Sequence, residues 1–96
     1  MESKASTGRI FSPVVGAVGR ELAADGVVYR VEAGAYFYLN WSAFAIWSLC
    51  DGQRSVEVIT EELASRSGMP KAQIATEVNR CLETFVQAGL ASEVFP

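Results

Sequence analysis

Residues 33–50 run for 18 positions without a charge, and the hydrophobic pattern changes in the middle of that run. From Ala35 to Leu39 large side chains crowd together as in a strand, whereas from Trp41 onward they recur at helical spacing. Eighteen uncharged residues are about the shortest membrane span. Gly34, Asn40, Ser42 and Ser48 interrupt the stretch, and the change of period divides it, so no span is expected. The run reads as a strand that feeds directly into a buried helix.

The neighbouring segments extend this reading in both directions. Residues 1–12 are polar and without period, which predicts a flexible N-terminal arm, and residues 13–96 make one domain. Val14–Leu22 is a strand candidate weakened by Gly16 and Gly19, which lower strand propensity and can mark a bulge. Asp25-Gly26 signals a type I′ hairpin. Val27–Val31 supplies a second strand, Glu32-Ala33-Gly34 a turn, and Ala35–Leu39 a third strand. Asn40 is placed to cap a first helix over about 41–51, with Gly52 as its left-handed stop. Its apolar positions Trp41, Phe44, Ile46, Trp47, Leu49 and Cys50 imply burial on more than one side. Ser55 caps a second helix ended by Ser67-Gly68, and Pro70 opens a third that runs to Gly89. Residues 90–95 are too short for more than a tail. Strands segregated from helices mean an α+β fold, here a winged-helix-like three-stranded antiparallel sheet followed by three helices.

Composition narrows the chemistry. The chain has no histidine, which removes the usual general base, the Ser-His and Cys-His pairs and imidazole metal ligands. Cys50 and Cys81, the two cysteines, are too few for a structural zinc site and too far apart in sequence for a redox motif. Without a signal-peptide pattern the chain is expected in the cytoplasm, with its thiols reduced. No metal or cofactor is expected, nor any catalytic residue. Eight basic against eleven acidic side chains give a net charge of −3, so no global field draws the chain to nucleic acid or to an anionic membrane.

The third expected strand carries the chemistry that remains. It is an edge with no charge, proline or evident bulge, the features that normally blunt such edges. By period two, Tyr36 and Tyr38 share one face while Ala35, Phe37 and Leu39 share the other. An extended peptide could add beside it as a further strand. The same edge can pair with its own copy, so a weak homodimer through strand three would compete with a peptide.

The segment from Leu39 to Ile59 resembles the signature of the PqqD-like proteins, through Leu39, Asn40, Ser42, Ala43, Ile46, Trp47, Leu49, Asp51, Gly52, Ser55, Val56 and Ile59. It departs at Val58, where an acidic capping residue is common, and at Cys50, where leucine is usual. The resemblance covers about residues 13–92 and implies a RiPP recognition element. Such a domain is a non-catalytic adaptor that binds the leader of a ribosomally made precursor peptide and presents it to modifying enzymes. Those enzymes would be a leader peptidase and cyclase, as in lasso-peptide maturation, or a radical SAM-type enzyme, as in pyrroloquinoline quinone synthesis. A chain of this length is expected to act in trans. Carried over by position, the resemblance implies a peptide site of Tyr36, Phe37 and Tyr38 on the strand with Ile74, Glu77, Val78, Cys81 and Phe85 on the third helix. Ile74, Val78 and Phe85 also lie on the apolar stripe expected to face the core.

Two other classes fit less well. A winged-helix DNA-binding domain needs a basic reading helix, but helix three sets Lys71 and Arg80 against Glu77 and Glu83. A thiol enzyme built on Cys50 or Cys81 has no base and, at helical spacing, only Arg80 nearby.

Overall fold

The structure is a computed structural model and describes residues 8–95. Three strands, β2 (Ala17–Glu21), β3 (Gly26–Arg30) and β4 (Ala35–Leu39), form an antiparallel sheet in that order. The helices α1 (Trp41–Leu49), α2 (Val56–Ser67) and α3 (Lys71–Ala88) follow. Among the described residues no helix is long and apolar enough to cross a membrane.

The helix boundaries follow from capping chemistry. Asn40 accepts from the Ala43 N–H at 2.8 Å, and Ser55 accepts from the Val58 N–H at 3.2 Å. Gly68 and Gly89 close α2 and α3 in the left-handed region, at φ 74° and 75°. Gly52 is also left-handed, but α1 has already ended at Leu49 and the Gly52 N–H donates to the Phe11 carbonyl.

The core lies between the inner face of the sheet and the helices, around Val28, Ile46, Ile59, Val78, Phe85 and Leu90. Helix α1 closes on the sheet through two aromatic rings. Gly19 and Gly26 both point at α1, and a Cβ at either would collide with the ring of Trp47 or Phe44 respectively. Trp47 then donates its indole N–H to the Leu90 carbonyl at 3.0 Å, joining α1 to the chain beyond α3. At that end of α3 the Arg30 guanidinium lies against Gly89, where a cation is favoured by the helix carbonyls.

Several expectations change here. Gly19 marks no bulge, since the β2–β3 ladder is continuous from Ala17↔Arg30 to Glu21↔Gly26. Asp25-Gly26 is no two-residue turn. The Leu22 N–H donates to the Asp25 carbonyl across the connection, and Gly26 is a strand residue whose missing side chain admits Phe44. The first sheet strand starts at Ala17 rather than at residue 14, because Gly16 at φ 90° turns the chain.

The largest departure is at the chain ends. The expected flexible arm over 1–12 falls partly on residues 1–7, outside the described residues. Its remainder enters β1 (Ile10–Pro13), which pairs antiparallel with β5 (Ala91–Val94) where a mere tail is expected. Phe11 is buried in the core, and Arg9 clamps Glu93 through two hydrogen bonds of 2.9 Å. Four-residue strands some eighty positions apart carry no local signal.

Two outcomes test this packing. Gly26→Ala overpacks the sheet against Phe44 and is expected to lower stability by about 1–3 kcal/mol in denaturant unfolding; an unchanged midpoint would show that α1 does not close on the sheet there. Burial, with the charge of Asp51 a lesser cause, pushes the Cys50 thiol from 9.0 up to about 12. Thiolate thus forms first in the unfolded chain, and this stabilisation is whole below pH 9 and declines between the two values. By pH 10 the loss from Cys50 is about 1.4 kcal/mol, read as a steeper fall of melting temperature than in Cys50→Ala.

Candidate functional site

Strand β4 is hydrogen-bonded to β3 on one side, in the register Gly26↔Leu39 to Arg30↔Ala35, and among the described residues it has no strand partner on the other. Alternation places its side chains as expected. Tyr36 and Tyr38 stand on the outer face, 64% and 77% exposed, while Phe37 and Leu39 pack against the core cluster. The Tyr36 ring lies 4.7 Å from that of its cross-strand partner Tyr29.

One residue after Leu39 the capping Asn40 starts α1, whose first residue Trp41 is 64% exposed. Trp41 is not buried as the helical pattern implied. With Ala45 and Ile46 it forms one wall of a groove of about 480 Å³. Leu63 and Met69, from α2 and the link after it, form another wall, and Ile74 and Val78 of α3 complete it. Arg66 and Glu77 bring opposite charges to the lining. Each already has a partner on its own helix, Glu62 for Arg66 and Arg80 for Glu77.

The structure thus divides the residues that the resemblance assigned to a peptide. Tyr36, Phe37 and Tyr38 lie on the open strand, and Ile74, Glu77 and Val78 line the groove. Cys81 is largely buried beside the groove, its thiol 3.6 Å from a Glu77 carboxylate oxygen. Phe85 is 1% exposed and belongs to the core. Sequence reasoning missed Trp41, Leu63, Arg66 and Met69. Trp41 carried a signal, since a large aromatic at the first position of a short helix has little helix on either side to bury it.

Neither cysteine is built for nucleophilic chemistry. Cys50 is buried and its Sγ–H donates to the Ile46 carbonyl at 3.3 Å. Burial, reinforced by the Glu77 carboxylate, pushes the Cys81 thiol up to about 11. Helix α3 does not supply a basic reading face either, because Lys71 is paired with Glu61 at 3.1 Å and Arg80 with Glu77.

Comparison with known proteins agrees with this fold. No curated protein matches the chain. Among solved structures, one described as TbiB1 in complex with the TbiA(beta) leader peptide matches with a TM-score of 0.77. The match covers 88% of this chain and 99% of that one at 16% sequence identity, a likeness of fold. The family described as coenzyme PQQ synthesis protein D (PqqD) matches residues 25–91, from the residue before the central strand to the first residue of β5, and the chain therefore belongs to the PqqD family.

Proposed function

We propose that this chain is a non-catalytic adaptor that binds the leader segment of a ribosomally made precursor peptide and presents it to modifying enzymes. The observation that carries the reading is an unpaired, uncharged strand edge that leads within two residues into an apolar groove. The solved relative in fold has a leader peptide bound, and family membership points the same way. The leader adds as an extended strand beside β4 and inserts an apolar side chain between Trp41, Ile74 and Leu63. Tyr36, Phe37 and Tyr38 position it along the edge, Glu77 and Val78 face it from α3, and Phe85 and Cys81 support that helix from beneath.

The energetics suit such an adaptor. Four or five backbone bonds, at ~0.5–1.5 kcal/mol each, and two or three buried apolar groups, at ~1.5–3, exceed an ordering cost of ~2–5. The remainder corresponds to roughly micromolar binding, near −8 kcal/mol. The modifying enzyme is a leader peptidase with a cyclase, or a radical SAM-type enzyme. With no histidine in the sequence and both thiols held protonated, the adaptor offers neither an imidazole base nor a thiolate nucleophile.

Calorimetry with a synthetic peptide from a short reading frame found beside its gene tests the site. Trp41→Ala and Tyr36→Ala each remove an exposed side chain, so the melting temperature holds while affinity falls about tenfold or more. Phe85→Ala is expected to do the reverse, costing ~3–5 kcal/mol of stability. Leader affinity unchanged in both surface variants would refute the site. Charge reversal by Glu77→Lys is expected to shift leader affinity measurably in the same titration, and no change would remove Glu77 from the contact set.

A further inference from the structure

Strand β4 reads Ala-Tyr-Phe-Tyr-Leu, and reversed about Phe37 its three central residues are unchanged. A two-fold interface asks this of a strand that pairs with its own copy, because residue i must suit residue j and residue j must suit residue i. Antiparallel pairing centred on Phe37 sets Phe37 against Phe37 of a second copy and each Tyr36 against the other's Tyr38. The tyrosines all lie on the outer face, away from the helices, where Tyr29 and Tyr36 already make a cross-strand aromatic pair. Self-pairing therefore repeats, twice, a contact the sheet already contains. The opposite edge of the sheet differs, since β2 exposes Arg20 and Glu21. Its charges oppose open-ended strand addition, so pairing through β4 stops at two copies.

We propose that β4 pairs antiparallel with β4 of a second copy, in the register centred on Phe37, and that this dimer and a bound leader exclude one another. The exclusion rests on the leader-binding reading above, whereas the pairing does not. One short edge per copy buries well under the ~1,200 Å² of stable interfaces. The dimer is accordingly weak, and it covers the open edge of the unloaded adaptor only when the chain is concentrated.

Disulfide trapping reads the register directly. Tyr36→Cys and Tyr38→Cys replace exposed side chains, and the native thiols of Cys50 and Cys81 are buried and protonated. In the proposed register a mixture of the two variants cross-links under mild oxidation. Either variant alone is expected to yield about tenfold less, because like positions sit beyond the ~7 Å reach of a disulfide. Equal cross-linking of single variants and mixture overturns the register. For the unmodified chain, sedimentation equilibrium is expected to show mass rising with concentration toward the dimer, and a monomer up to about 1 mM overturns the pairing, whatever the variants do. The oxidation is then repeated on a fresh mixture with the synthetic leader present from the start. Loss of the cross-link supports exclusion. Persistence of the cross-link at a leader concentration that calorimetry shows to saturate each dilute cysteine variant overturns exclusion and moves the leader off β4. A leader that fails to bind the dilute chain refutes the adaptor reading, while the trapping result still decides the pairing.

Discussion

The fold depends on one indole. Trp47 sits against a glycine of β2 on one side and, through its N–H, holds the Leu90 carbonyl on the other, so a single side chain fixes the first helix to both the sheet and the far end of the last helix. Neither contact is replaceable by generic hydrophobic burial. The first needs the absence of a Cβ at Gly19, and the second needs a directional donor whose loss would strand a buried carbonyl. Phe44 against Gly26 repeats the first arrangement one turn earlier. With α1 pinned in this way, Trp41 at its start is left facing outward beside the end of β4, and the groove is the space between that ring and α3.

Much of this was legible in the sequence because it is written locally. The alternation of Tyr36, Phe37, Tyr38 and Leu39, the caps at Asn40 and Ser55, and the left-handed stops at Gly68 and Gly89 each depend on neighbours within a few residues. The roles of Gly19 and Gly26 were misread for the opposite reason. A glycine that makes room for a distant ring looks, in one dimension, like a bulge or a turn. The β1–β5 pair had no signal at all, since its hydrogen bonds join segments at the two ends of the chain. The groove was half legible. Ile74, Glu77 and Val78 share the α3 stripe that the resemblance marked, but Leu63, Arg66 and Met69 reach it only because α2 and α3 pack side by side.

Scaffold and recognition surface are consequently separate in the sequence. The motif that relates the chain to its family, from Leu39 to Ile59, consists largely of caps and core residues, with Ile46, Trp47, Val56 and Ile59 all buried. Trp41 apart, the exposed residues that would meet a partner precede or follow it. Tyr36 and Tyr38 lie before it and Met69 and Ile74 after it, all but Ile74 on exposed surface where substitution costs little stability.

The clasp between β1 and β5 has a consequence for synthesis on the ribosome. Phe11 is buried in the core, yet the strand that covers it, Ala91–Val94, is made some eighty residues later. The ladders of the three-stranded sheet join segments that emerge close together and can form as soon as both are out. A nascent chain therefore carries one edge of its β1 segment unpaired until Ala91–Val94 emerges, and closure of the domain is timed to the appearance of β5 rather than to that of its helices.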